Sequence, residues 1–497
     1  MVFSSHLFLF YFLPLTLLLY YAVPRGGKHL VLTLLSYLFY GWANPLFVVL
    51  LLSSTVIDYA CGLAIAGRAP MWMTSPRRAN RPDGDWREAV ALVDPNRHTR
   101  SQRLALLLSV CTNLSLLAFF KYFNFASDNI NALAELLQAP WLRLDLALRV
   151  TLPLGISFYT FQSMSYTIDI YRGRSKALRS FIDFACYVSL FPQLVAGPIV
   201  RFSEVADQLA DRTHTLAKFA RGVAFLSVGL TKKILLANPC GQVADLAFDA
   251  GSVAPLDAWY GVTAYAFQIY FDFSAYSDMA IGLGLMLGFV FPKNFDSPYH
   301  SRSITEFWRR WHISLSSWLR DYLYIPLGGS HRGPSRTYVN LAFVMLLGGL
   351  WHGAAWNFVI WGGLHGALLA FERMRRHRPT ATWLPDSARV ASTFAFLLVT
   401  WVFFRAADVP SAVAYLRNMT GFVEVTASAS LLSGVLYQPY YVVSLALAAA
   451  VTWGAPQTWE WTRRLTPSRV AVTIGLLLLS VALLSTQAYN PFIYFIF

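Results

Sequence analysis

Charge is what this chain has least of. Asp, Glu, Lys and Arg make up 13% of 497 residues, only 26 of them acidic, while 56% are hydrophobic. So little charge cannot cover a water-soluble globule, and the composition points instead to a polytopic membrane protein. Cysteine is also scarce. Cys61, Cys111, Cys186 and Cys240 share no metal-ligand or redox spacing and fall mostly in apolar runs, so they read as small buried residues. No Gly-x-Ser-x-Gly elbow and no informative Cys–His spacing occur, which argues against a covalent acyl-enzyme. No internal repeat is visible, and the run Leu7–Val23 lacks a basic n-region and a small-residue cleavage site, so it reads as a mature helix rather than a signal peptide. The excess is positive, at +14. In a soluble chain that would suggest nucleic acid, but here the basic residues sit in loops and at helix ends, as the positive-inside rule requires.

What is present is a succession of apolar runs, and the expected class is all-α and polytopic. Helices are expected at about Leu7–Val23, Leu30–Trp42 and Leu46–Ala66, with the short basic loop 24–29 cytoplasmic and the N-terminus outside. The stretch 67–103, rich in arginine and proline, reads as a cytoplasmic polar loop with a short helix around Trp86–Leu92. A crossing at Leu104–Phe123, an external segment 124–150 and a return at Thr151–Ile170 then lead to the basic loop 171–179. Phe181–Val200 and Phe219–Ala237 read as a hairpin whose first half is broken by Pro192, Gly197 and Pro198. Trp259–Phe291 is expected to hold two spans around a polar run in which Gln268, Asp272 and Tyr276 share one helical face. That face suits either an interhelical hydrogen-bond network or contact with substrate. Segment 305–327, with Phe307, Trp311, Leu315, Trp318 and Tyr322 at three- and four-residue spacing, reads as a cytoplasmic interfacial or re-entrant helix, with His312 beside its apolar stripe. Further spans are expected near 390–404, 440–453 and 470–484, for roughly a dozen crossings or more.

The stretch around which this organisation turns is Gly348–His365. Tyr338–Glu372 is far longer than the roughly 20 residues of one span, so it reads as two helices meeting near Gly348–Gly353, with His352 at the joint. The glycines there let backbone or substrate approach the ring. An ionisable side chain at membrane depth is by default a functional candidate. His352 lies about 24 Å of helix from Arg336, which puts it at mid-membrane or beyond, while His312 belongs to the inner side. Such a placement suits a reaction with a cytoplasmic reagent and an external acceptor. Acyl transfer to a hydroxyl needs a base at the attacking oxygen, and neutral imidazole supplies one near pH 7. The arginines of 293–336 either hold the phosphates of a coenzyme or simply set orientation. A metal site is disfavoured, because His352 and His365 are thirteen residues apart and would lie on nearly opposite faces of one helix. His365, near Gly362, Gly363 and Gly366, reads as a packed, hydrogen-bonded histidine. A polysaccharide transporter and a non-catalytic scaffold are the readings from other classes.

Seven runs together resemble the membrane-bound O-acyltransferases, specifically the bacterial alginate O-acetyltransferase type. They are PLGISFYTFQ at 153–162, QLVAGP at 193–198, DFSAYSDM at 272–279, FWRRWHIS at 307–314, WLRDYLYIPLGG at 318–329, GLWHG at 349–353 and NPFIYF at 490–495. Ala275 departs from an expected glycine, and 67–103 is longer than usual. The resemblance implies a single domain over 1–497, a ring of tilted helices with re-entrant segments around a thin core. It implies His352 as the central catalytic histidine and His312 as the second. Trp351, Asn357, Trp308, Arg309, Arg310, Trp311, Gln268, Asp272 and Tyr276 are the candidates for contact with substrate or acyl donor. The implied activity is transfer of acetyl from cytoplasmic acetyl-CoA, with no permanently bound cofactor, across the bacterial inner membrane. The implied partners are a periplasmic SGNH-hydrolase-like protein, the polysaccharide synthesis machinery and membrane lipid, with alginate the foremost polymer and cellulose, peptidoglycan or teichoic acid the alternatives.

Overall fold

A computed structural model describes residues 2–68, 92–144, 149–375, 384–422 and 427–493. Most of the polar stretch 67–103, with the helix expected near Trp86, lies outside them. Helices are the regular structure of the described residues, with no strand among them. They divide into two compact units, Met1–Ala220 with Leu283–Pro292, and Arg221–Gly282 with Lys293–Phe497.

The first unit begins with a wide turn at Leu7–Phe12 and continues through α1 (Leu13–Ala22), α2 (Lys28–Gly41), α3 (Leu46–Ile65), α4 (Arg100–Leu136), α5 (Ile156–Tyr171), α6 (Phe181–Ser189), α7 (Phe191–Leu194) and α8 (Phe202–Ala210). Hydrogen bonds between buried polar side chains tie these helices, since apolar contact alone does not discriminate between a helix and lipid. Asp58 of α3 accepts from Ser109 at 2.6 Å and from Asn113 at 2.9 Å, both on α4, and Ser109 meets Thr167 of α5 at 2.9 Å. The break expected at Pro192 is present, between α6 and α7. The simple hairpin is not, because α8 intervenes.

Helix α4 runs on past the boundary read at Phe123, so the crossing at 104–123 and the start of the segment after it share one helix. It starts at a Thr99/Gln102 capping box and runs for 37 residues. Lys121 and Glu135 lower the hydropathy without lowering helix propensity, so the fall in hydropathy does not mark where the helix ends.

The remaining helices are α9 (Leu216–Thr231), α10 (Asn238–Asp249), α11 (Pro255–Met286), α12 (Ile304–Arg310), α13 (Ile313–Leu319), α14 (Pro334–His352), α15 (Trp356–Arg375), α16 (Asp386–Arg405), α17 (Val409–Thr420), α18 (Ala427–Leu436), α19 (Pro439–Gly454), α20 (Thr458–Trp461) and α21 (Pro467–Leu484). The two spans expected in 259–291 are one helix of 32 residues. Its polar run does not break it because partners satisfy the run: Asp272 pairs with Lys233 at 2.8 Å, and Asp278 with Lys232 at 2.7 Å and with Thr458 at 2.6 Å. Both lysines sit on the wide turn Lys232–Ala237 that joins α9 to α10. The expected joint in 338–372 is present, at Gly353–Ala355 between α14 and α15. Among the described residues α3, α4, α16 and α21 are each long and apolar enough to cross a membrane, and Leu7–Ala22 and α19 are apolar but shorter.

Candidate active site

The crossing of α14 over α15 is built on glycine. A Cβ at Gly349 would lie 2.2 Å from the Phe358 carbonyl oxygen, and one at Gly362 would lie 2.4 Å from that of Met345, so the two backbones touch. His352 closes α14 immediately beyond this contact. Its ring is buried, edge-on to Trp351 at 5.0 Å, Trp361 at 5.3 Å and Phe404 at 5.2 Å. Gly353 follows in extended conformation, and its Cα sits so close to the Phe358 ring that a Cβ would approach to 2.1 Å.

His312 reaches the same place from another direction. The helix expected through 305–327 is broken there: α12 ends at Arg310, α13 starts at Ile313, and His312 between them has φ of 43°. A non-glycine residue in the left-handed region costs of order 1–3 kcal/mol and persists only where its surroundings enforce it. Asn294 is the enforcing residue. Its carbonyl oxygen accepts from Ile313 N at 2.9 Å, and its Oδ1 accepts from Ser314 N at 3.2 Å and Ser314 Oγ at 2.9 Å. Because Oδ1 is thereby the acceptor, His312 Nδ1, 3.2 Å away, must donate to it. The proton of neutral His312 is then on Nδ1, and the Nε2 lone pair, buried and with no hydrogen-bond partner among the described residues, is left free. The ring packs on Phe273 at 4.6 Å and on Trp351 at 6.1 Å, so His312 and His352 share the Trp351 indole.

The other predicted residues are less concentrated. Trp308 donates to His365 Nδ1 at 3.3 Å, and both rings pack on Trp361. His352 and His365 therefore lie on consecutive helices and meet the same tryptophan, which overturns the argument from opposite faces of one helix. Among the described residues no group of three or more His, Cys, Asp or Glu could hold a metal ion. Trp311 is buried against Trp401 at 5.2 Å and Phe295 at 5.1 Å. Arg310 is held by Glu306 at 2.9 Å and by the Asp296 carbonyl at 3.1 Å, whereas Arg309 is exposed. Asn357 donates to the Ala406 carbonyl at 2.7 Å and so closes the end of α16.

The face of α11 carrying Gln268, Asp272 and Tyr276 turns away from the histidines. Asp272 pairs with Lys233 and accepts from Ile493 N at 2.8 Å, Tyr276 stacks on Phe492 at 4.5 Å, and Gln268 abuts Gly241. Helix α11 contributes instead through Phe273, against His312, and Ser277, which accepts from Asn294 Nδ2 at 2.9 Å. Phe273, Ser277 and Asn294 were missed by sequence reasoning. The offset of one residue from the polar face could have pointed to Phe273 and Ser277, but nothing in the sequence marks Asn294.

An open basic cavity of about 900 Å³ lies beside α12 and α15, lined by Arg302, Arg309, Arg373, Arg375 and Arg389. Glu372 at its edge caps α12, accepting from Ile304 N at 2.7 Å and Thr305 N at 2.8 Å.

Comparison with known proteins gives the family. Residues 174–407 match the model of the membrane-bound O-acyltransferase family. A probable alginate O-acetylase of Azotobacter vinelandii is 42% identical and one of Pseudomonas putida 41% identical, each over the full length of both chains. A peptidoglycan O-acetyltransferase of Helicobacter pylori is 37% identical, over 85% of this chain and 80% of its own. The chain belongs to the membrane-bound O-acyltransferase family. It is an all-α polytopic membrane enzyme, an O-acyltransferase.

Proposed function

We propose that this protein transfers acetyl from cytoplasmic acetyl-CoA, across the bacterial inner membrane, toward an exported polysaccharide, with His352 as general base. The observation that carries the reading is the meeting of His352 and His312 at Trp351, with the protonation of His312 dictated by Asn294. In this reaction a hydroxyl oxygen attacks the thioester carbonyl while His352 takes its proton. The tetrahedral adduct collapses, the C–S bond breaks, and the imidazolium returns the proton to the departing thiolate. His312 Nε2, as a neutral acceptor, orients the acceptor hydroxyl or the imidazole beside it. The five arginines of the 900 Å³ cavity suit the phosphates of the donor, since guanidinium pairs with phosphate bidentately.

Alginate is the foremost acceptor, because the relatives that match end to end bear that name. Peptidoglycan is the alternative, supported by the Helicobacter pylori relative. Delivery runs through a periplasmic SGNH-hydrolase-like partner within the polysaccharide machinery, with the N-terminus and the His352 end of α14 outward. Purified protein in lipid nanodiscs, given labelled acetyl-CoA and such a partner or polymer, should pass label to the acceptor. His352→Ala should lower turnover by about 10²–10⁴-fold with an unchanged elution profile. Wild-type turnover in that variant would remove His352 from the mechanism.

A further inference from the structure

We propose that the first unit carries a separate site for a phosphate-bearing anion, in a cavity of about 590 Å³ between the loop before α2, the segment leading into α6 and the end of α8. Six cations line it, Arg25, Lys28, Arg174, Lys176, Arg179 and Arg212, against three carboxylates, Asp183, Asp207 and Asp211. One wall is tied together by hydrogen bonds. Asp183 is occupied by His29 at 2.5 Å, His29 Nε2 accepts from Arg212 at 2.7 Å, Arg212 also donates to the Tyr20 hydroxyl at 2.9 Å, and Lys28 donates to the Tyr20 carbonyl at 2.7 Å. The other four cations are uncommitted: Arg25, Arg174, Lys176 and Arg179 make no ion pair with any carboxylate among the described residues, although they line one concave surface.

Two helices also begin there. Lys28 and His29 open α2, and Ile182 and Asp183 lie in the first turn of α6, so the positive ends of both helices face the cavity. The Gly27 N-cap of α2 offers no capping side chain, and its own amide and that of Lys28 bond back to the Pro24 and Arg25 carbonyls. Orientation in the membrane explains why loops 24–29 and 171–179 are basic. It does not require their cations to converge on a cavity with one pinned wall. A bare phosphate would fill little of 590 Å³, because a water takes about 30 Å³ and ligand sites run from about 300 to 1,000 Å³. The occupant is therefore a phosphate on a larger body, either a soluble phosphorylated molecule or the headgroup of an anionic phospholipid.

The test uses the full chain in two preparations. In phosphatidylcholine nanodiscs, radiolabelled inorganic pyrophosphate reports a soluble phosphate source. In detergent, native mass spectrometry of protein extracted from phosphatidylglycerol-containing membranes reports a bound lipid. Arg174→Gln/Lys176→Gln/Arg179→Gln should weaken pyrophosphate binding at least tenfold if the source is soluble, or remove retained phosphatidylglycerol if it is lipid. The conservative Arg174→Lys/Arg179→Lys should keep whichever binding the wild type shows, and any pyrophosphate binding that Arg309→Gln/Arg389→Gln removes, in the cavity proposed above for the donor's phosphates, is counted as the second site. Thermal unfolding of each variant checks folding. Binding of neither probe, undiminished binding in the triple glutamine variant, or loss confined to the Arg309/Arg389 variant would overturn the proposal.

Discussion

Replacing Gly349 with alanine should reach the active site without altering a reactive group. The added Cβ would lie 2.2 Å from the Phe358 carbonyl oxygen and 3.1 Å from its carbon. Ordinary contact begins at 3.4 Å, so α14 and α15 must separate by about 1.2 Å at this point. The obstacle is main chain, which has no rotamer to change, and overpacking of this kind costs about 1–3 kcal/mol. His352 stands three residues further along α14, and a misplacement of about 1 Å can cost ~100-fold in turnover. Gly363 is the matched control: on the same pair of helices, its Cβ would meet only Leu346 Cδ2 at 3.7 Å. Gly363→Ala should be neutral or slightly stabilising, by up to about 1 kcal/mol of helix propensity. The assay is acetyl transfer from labelled acetyl-CoA by each purified variant, with thermal unfolding alongside. Gly349→Ala should melt lower and turn over about 100-fold more slowly, with little change in KM for the donor. Turnover within twofold of Gly363→Ala would show that the close crossing does not position His352.

Two further outcomes follow from the same geometry. Asn294→Ala removes the acceptor that holds His312 Nδ1 and Ser314, and should lower turnover about 10- to 100-fold at unchanged donor KM, with Asn294→Asp, which keeps an acceptor, closer to wild type. Lys233→Met leaves Asp272 buried without its cation and should destabilise by about 3–5 kcal/mol in denaturant titration, while adding Asp272→Asn should recover much of the loss; a milder single variant would show that the pair is not needed to anchor the C-terminal segment to α11.

The fold was legible where hydropathy and helix breaking coincide. Leu46–Ala66 was read within one residue of α3, and the joint after His352 was read because a run of that length exceeds one span. It was illegible where a polar residue changes a helix's surroundings without ending it. Lys121 and Asp128 within α4, and Asp272 and Asp278 within α11, looked like boundaries because their partners, such as Lys232 and Lys233, come from distant positions in the chain. Charge pairing across such separations leaves no local pattern. The same limitation hid the break at His312: the apolar spacing of Phe307, Trp311 and Leu315 is helical, and only the carbonyl and side chain of Asn294 turn the backbone there.

For the site itself, chemistry was legible before geometry. A titratable ring within apolar sequence stands out at His352 by cost alone, and the same argument places weight on His312. Which atom of the His312 ring is available could not be read, because that depends on Asn294, whose own Oδ1 is identified by a backbone amide, Ser314 N. The polar face of α11 was read as either an interhelical network or a substrate contact, and its contacts are those of the network. Gln268, Asp272 and Tyr276 have the composition of a binding surface, yet Asp272 is engaged with Lys233 and Tyr276 with Phe492, while the adjacent Phe273 and Ser277 are what α11 presents to the His312 shell. Along a helix one residue is about 100° of rotation, so a single step in register decides whether a polar run faces the chemistry or fastens the bundle.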